Sequence, residues 1–495
     1  MAESNPLART TVTDTTQSST PTSHDHIPTY AVVLLWSAAE SHRVGQVAFL
    51  PPGEQIYAGR GDKEPRKFAK FGWHRPGEPL VVLPGQEFLA GDRISRLHLL
   101  FEASVEGVEM KKLGRRSTYV NGKECGDTTT LQAHDRILVA KQVLLLVVRR
   151  PRLLPVPPGA RELHPFGEPD AAGIVGESLQ AWELRSQLEL AARFEGHVLI
   201  RGETGTGKEL AAAAVYNRSS RASGPFVSLN AASMPSSIID SELFGVPANY
   251  PNPGTPARNG VIGDADHGTL FLDEVGDCSH DTQTRLLRFL SIGEYRRVGE
   301  TMPRRADVRV VGATNKDDSA FRKDFRARFQ MIVQLHPLRE RQEDIPLLAR
   351  HLLVPAVEAY PDRRERLFFQ GPSGRLEPRL SGFFVDYLVH HRLEGNTREL
   401  GEILLEALLT SPGDEITLPG LDRDPAAPAA GPAASGPVSE KARRVVKSIT
   451  KEQVLAALQR SEGNLSQAAR ALGLGRTAMY ELLERYRIRR DDSTA

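Results

Sequence analysis

The octapeptide GETGTGKE, Gly202 to Glu209, follows the apolar run HVLI and opens onto the helix-forming run ELAAAAVYN. A strand, a glycine-rich turn and a helix in that order constrain the fold more than any other feature of the chain. In such a turn Gly202, Gly205 and Gly207 let successive backbone N–H groups face one anion at a helix N-terminus, with Glu203, Thr204 and Thr206 between them. Lys208 then reaches the outer phosphates of a nucleotide. A second apolar strand, TLFLDE, ends in Asp273 and Glu274. That pair supplies one carboxylate for Mg2+ and one to polarise an attacking water. Both elements stand in one alternating strand and helix pattern, so the expected ligands are ATP and Mg2+, with Asp273 as the metal residue.

Composition removes several other classes. A length of 495 residues suggests about three domains, and 40% hydrophobic with 25% charged residues fits neither global disorder nor a fibrous protein. The net charge of +1 says nothing of partners until it is read by region. Cys125 and Cys278 lie far apart without a CxxC pattern, which suits a reducing interior. The Ser- and Thr-rich start has no basic stretch followed by an apolar core, and runs such as VLLLVV are too short to cross a bilayer. A cytoplasmic protein without membrane contact is expected.

The expected fold is multidomain: an N-terminal all-β sandwich, a central α/β P-loop domain with a helical lid, and a C-terminal all-α helix-turn-helix. Residues 1–27 read as a disordered tail. Residues 28–151 hold short apolar runs broken by Gly, Pro and charged turns, which predicts the sandwich. A proline-rich linker over 152–172 follows. Strands HVLIRG, PFVSLN, TLFLD and VRVVGATN alternate with helices over 173–340, which predicts a mostly parallel covered sheet, and helical patterns fill 341–412. The Ala/Pro/Gly-rich stretch 413–440 reads as a tether before a compact helical module at 441–490.

SELFG, VRVVGATN, FRKDFRARF, PLRERQEDI and LEGNTREL, in that order beside the two nucleotide motifs, resemble the AAA+ domain of sigma-54-dependent bacterial enhancer-binding activators. The resemblance covers about 240 residues and implies a role for each matching position. Glu274 serves the hydrolytic water and Asn230 restrains that glutamate. Thr314 and Asn315 sense the γ-phosphate, and Arg398 closes from the lid. Glu209, where many P-loops place a hydroxyl for magnesium, is usual in this family. Arg322 and Arg328 match fingers that reach a neighbouring subunit's nucleotide, which implies a homo-oligomeric ring, a hexamer by resemblance. An exposed basic helix is the alternative for these two arginines. LEGN stands where the family has WPGN.

One segment departs from the family. Where the activators carry GAFTGA, the loop that grips the sigma factor, this chain has Asn249, Tyr250, Pro251, Asn252, Pro253 and Gly254 at unchanged spacing. Two prolines stiffen such a loop. ATP chemistry and remodelling of sigma-54 RNA polymerase therefore separate into two questions. Tyr250 is either a substitute aromatic contact or a packed or solvated side chain.

The C-terminal module breaks into three helices at Gly463–Asn464 and at Gly473–Gly475, a helix-turn-helix. Its GN, AAR, LG and RTAMY segments resemble the Fis-type DNA-binding domain, with Arg476, Thr477 and Tyr480 facing the major groove and a basic surface for phosphates. At the other end, YAGRGD, RISRLH and YVNGKE resemble the forkhead-associated fold, a reader of phosphothreonine peptides. That resemblance places Arg60, Ser95 and Arg93 on the phosphate and Asn121 where it orders the peptide-binding loops. His98 braces the loop rather than touching ligand. Arg116 and Ser117 replace the family's NG, which alters the expected specificity.

Overall fold

The structure, a computed structural model, describes residues 27–421 apart from 62–63, 84–87, 155, 157–163 and 373. By its contacts the chain divides between Arg423 and Asp424. The N-terminal tail, most of the 413–440 segment, and Arg476, Thr477 and Tyr480 lie outside the described residues.

The first ten strands are β1 (Thr29–Ser37), β2 (Val47–Phe49), β3 (Gln55–Ala58), β4 (Leu99–Ala103), β5 (Val108–Lys112), β6 (Thr118–Val120), β7 (Lys123–Glu124), β8 (Thr128–Leu131), β9 (Arg136–Val139) and β10 (Val143–Arg150). They form two antiparallel sheets, β2-β1-β10-β9-β6-β7 and β3-β4-β5-β8. Val32, Leu34, Leu145 and Val147 of the first sheet share a core with Ile56, Leu99, Phe101 and Met110 of the second. In β1 and β10 the residues between these positions are apolar as well, so the strands lack the polar alternation of a sheet with one wet face. The reason is a second core: Ala31, Val33, Leu35, Leu144 and Leu146 pack outward among the helices of the lid.

The central domain contains α1 (Leu179–Arg193), β11 (His197–Arg201), α2 (Lys208–Asn217), β12 (Phe226–Asn230), α3 (Ser236–Phe244), α4 (Gly260–Asp264) and β13 (Thr269–Asp273). It continues through α5 (His280–Ile292), β14 (Glu294–Tyr295), β15 (Arg304–Arg305), β16 (Arg309–Thr314), α6 (Lys323–Arg326) and β17 (Phe329–Gln334). Its parallel sheet runs β12-β13-β16-β11-β17, which sets the carboxyl ends of β13, β16 and β11 side by side. Ligands of open α/β sheets bind at that edge. Helix α5 shows why these segments are helical: Ser279 caps it by accepting the Thr282 N–H, Leu286, Phe289 and Leu290 share the buried face, and Gly293 ends it in a left-handed conformation.

The lid comprises α7 (Ile345–Val357), α8 (Pro361–Leu367), the hairpin β18 (Phe368–Gln370) and β19 (Leu376–Pro378), α9 (Gly382–His390) and α10 (Asn396–Thr410). The hairpin is absent from the helical pattern read in the sequence. Residues 413–421, expected as the start of a tether, pack with the lid: Ile416 is buried in its core and bridges to Leu380. The end of the segment expected as a linker, residues 164–172, is anchored. Phe166 stacks on Trp73 at 5.7 Å, and Asp170 accepts N–H bonds from Ala172 and Ile174 while pairing with Arg185 at 3.0 Å.

Candidate active site

The glycine-rich turn leaves β11 and enters α2. Gly205 and Gly207 have φ of 76° and 97°, the region that favours glycine. A side chain on Gly207 would meet nothing, whereas one on Gly205 would lie 2.1 Å from the Gly395 carbonyl oxygen of the lid. Open space lies before the N–H groups at the start of α2, as a phosphate cradle requires. Alanines Ala211, Ala212 and Ala214 bury the opposite face of α2 and let it approach the sheet closely. The Thr206 hydroxyl donates to the Glu203 carbonyl, and Glu209 is exposed in the first turn of α2.

Across the cradle, β13 delivers Asp273 and Glu274. Lys208 Nζ stands 3.1 Å from Glu274 Oε1 and donates to the Gly202 carbonyl at 3.2 Å. Glu274 is left-handed at φ 50°, and its Oε2 accepts the Asn315 N–H at 3.2 Å. Burial raises the pKa of Asp273, the neighbouring Glu274 raises it further, and Lys208 offsets part of the effect. Two adjacent carboxylates against one lysine form a donor set that favours a divalent cation, so these residues fit magnesium. Asn230, expected on the glutamate, instead donates to Asp273 Oδ2 at 2.7 Å. The β12–β13 register explains this, since Asn230 is paired directly with Asp273.

The two residues read as phosphate sensors separate. Asn315 is exposed at the cradle, with its amide 3.4 Å from Thr204 Oγ1. Thr314 is fully buried, its hydroxyl accepts the Lys316 N–H, and its carbonyl accepts the Gly202 N–H. It braces the strand end rather than facing a ligand. Arg398 rises from α10 with its Cβ beside Gly205, is exposed, and makes no ion pair among the described residues. Of the two finger candidates, Arg322 is held by Asp324 at 2.9 Å while Arg328 is exposed with no side-chain partner among the described residues.

Sequence reading passed over a clasp around Glu203. Arg339 binds that carboxylate with two N–H groups, at 2.5 and 2.8 Å, and holds its pKa below the usual range, with Asn396 assisting. Asn396 is fully buried at φ 53°, accepts the Leu338 N–H, and donates to Glu203 and to the Thr204 carbonyl. PLRER and LEGN carried the signal, but only the fold brings both onto the P-loop.

The segment Asn249–Gly254 is folded back. Asn249 N–H donates to Thr255 O at 2.8 Å, the Gly254 N–H donates to Asn249 Oδ1, and Val246 and Arg258 bridge its base. The Tyr250 ring lies against Gly299, where an added Cβ would meet it at 2.6 Å. Tyr250 nevertheless stays exposed, so this contact leaves its ring accessible.

In the sandwich, Arg60, Ser95 and Arg93 gather at one end. Arg60 Nε donates to Ile94 O, its N–H donates to Ser95 O, and a side chain on Gly59 would strike Arg96 O at 2.2 Å. His98 accepts the Ser95 N–H on Nδ1, so its neutral ring carries the proton on Nε2, 3.5 Å from the Thr118 hydroxyl. Asn121 does not join them. It lies beyond the opposite end of β6, bonded to Asp135 and to the Arg136 N–H, because β6 pairs Thr118 with Val139 but Val120 with Ile137.

A parallel sheet with a phosphate cradle, paired carboxylates and a polar strand end side by side, closed by a helical lid, defines a AAA+ domain. Residues 174–338 match the family model for the sigma-54 interaction domain, and residues 446–486 match that for bacterial regulatory proteins of the Fis family. The chain belongs to the family of transcriptional regulators that carry a sigma-54 interaction domain and a DNA-binding helix-turn-helix. It is 37% identical to the transcriptional regulatory protein ZraR of Klebsiella oxytoca over 330 residues, 65% of this chain and 71% of that protein. It is 38% identical to ZraR of Escherichia coli (strain K12) over 320 residues, 63% and 68% of the two chains. Among solved structures it is similar to NtrX from Brucella abortus in complex with ADP, at 29% identity, TM-score 0.44, covering 64% and 69%.

Proposed function

We propose that this regulator hydrolyses ATP with Mg2+ and couples turnover to transcription from its DNA site, while its N-terminal sandwich reads phosphothreonine peptides. The observation that carries the reading is the convergence of Lys208, Glu274 and Asn315 on the glycine-rich cradle. Lys208 would take the outer phosphates in place of Glu274, which frees that carboxylate to accept a proton from water. Asp273 would hold magnesium, which supplies charge neutralisation. Arg328, and Arg322 once released from Asp324, would complete the site from a neighbouring protomer, and Arg398 from the lid. The active form is then a homo-oligomeric ring, with a hexamer as the expected count. In the sandwich, Arg60, Ser95 and Arg93 would hold the phosphate, and Asn121 acts away from it, as a brace of the β6–β7 turn.

The folded-back loop at Asn249–Gly254 favours a second reading: a nucleotide-controlled DNA-binding regulator that does not remodel sigma-54 polymerase through this loop. Single-round transcription from a sigma-54 promoter decides between the two. The second reading predicts no activation by the natural chain and gain of activation when residues 249–254 are replaced by GAFTGA. Activation by the natural chain contradicts it.

A further inference from the structure

The turn between β9 and β10 touches two places at once. Its Gln142 accepts the Arg93 N–H on Oε1 at 3.0 Å and binds Asp92 through Nε2, holding the loop that leads to Ser95. Its Lys141 ammonium stands 5.6 Å over the Phe383 ring in the first turn of α9. Ala140 and Lys141 both adopt left-handed backbone, with φ of 49° and 57°. Left-handed backbone at two successive turn residues favours Asn and Gly, and strained residues persist where surroundings over-determine them.

From that contact α9 crosses the outer face of the first sheet. Trp36 Nε1 donates to Leu380 O at 2.8 Å just before the helix, and Arg136 pairs with Asp386 at 2.6 Å within it. Beyond α9, the Asn396 side chain and the Thr397 N–H bond to the Thr204 and Gly205 carbonyls of the P-loop. A cavity of ≈ 300 Å³ lies beside Trp36, Leu347 and Val385, between the sandwich and the lid.

We propose that the Ala140–Lys141 turn is a mechanical relay, by which the phosphate-binding end of the sandwich and the nucleotide site bias each other through the tilt of α9. The relay deepens the phosphopeptide reading, on which it rests for its natural input. Because such coupling is reciprocal, nucleotide must also be felt at the turn, which allows a test without the peptide.

Hydrogen exchange of residues 138–146 is followed in the full-length Glu274→Gln chain with and without ATP and Mg2+. Exchange at the turn is expected to change by about fivefold on nucleotide addition. That response is expected to disappear in the same chain carrying Ala140→Asn and Lys141→Gly, which suit the turn, and in one carrying Phe383→Leu, while the P-loop stays protected by nucleotide. A turn indifferent to nucleotide, or variants that respond like their parent, overturns the relay. In a second arm, a phosphothreonine peptide with randomised flanks is expected to change ATP turnover of the wild type but not of the double variant. A variant that binds the peptide and retains the turnover response overturns the relay. A wild type that binds no phosphothreonine peptide overturns the phosphopeptide reading instead, and the exchange result then decides the relay alone.

Discussion

His98 shows how one buried side chain can hold a loop, here by accepting the Ser95 N–H. It is fully buried under the Arg60–Ser95 end of the sandwich, and burial, with the nearby Lys112 charge adding to it, pushes its pKa from 6.5 down to about 4. The unfolded chain takes up this proton near pH 6.5 and the folded chain only near pH 4, so the unfolded state binds more protons in between. Stability therefore falls as pH drops through that window, by on the order of 3 kcal/mol for this one group. Urea unfolding at a series of pH values should show the slope, and His98→Gln should flatten it. A wild-type slope unchanged by the substitution contradicts the assignment. At this scale the sequence revealed residue types better than partners. GETGTGKE and TLFLDE announce Lys208, Asp273 and Glu274, but strand register sends Asn230 to Asp273 and turns Thr314 inward. Register is a property of the sheet, and no local spacing encodes it.

Helix α9 is the element that fixes the sandwich to the lid. Its apolar side, Phe384, Val385, Leu388 and Val389, enters the core shared with β1 and β10, and its Asp386 meets Arg136 of β9. The side chains of Arg136 and Asp386 are 7% and 19% exposed, so removing one partner leaves a poorly solvated charge. Asp386→Ala is expected to cost about 2 kcal/mol, a value reduced for this residual solvent access, and Arg136→Met with Asp386→Leu should recover most of it. Denaturant midpoints followed by tryptophan fluorescence would check both. Equal loss in the single and double variants would contradict the packing described. The apolar runs of residues 28–151 predicted a sandwich, yet nothing in them named the element that covers its outer face. The hairpin β18–β19 and the packed residues after 412 escaped notice for a similar cause, because each is stabilised by lid contacts far away in sequence.

At the scale of the molecule, the function proposed above calls on a second protomer. Lys208, Glu274, Asn315 and Arg398 converge from one chain, but Arg328 points from an exposed position with no side-chain partner among the described residues. A guanidinium contributed by a neighbour can be worth about 10³-fold or more in phosphoryl transfer. The domain order, the P-loop and the paired carboxylates were legible in sequence because each depends on a short segment. The proposed seam between protomers was legible only through resemblance, since it would belong to no single chain. The most direct measurement is ATP turnover per protomer against protein concentration, with Arg328→Ala beside the wild type. Turnover per protomer should rise steeply as the wild-type chains assemble, whereas the variant should stay about 10³-fold below the assembled wild type and differ little from it at dilutions where neither assembles. A rate per protomer that is independent of concentration, or an Arg328→Ala chain as active as the assembled wild type, would contradict a nucleotide site shared between neighbours.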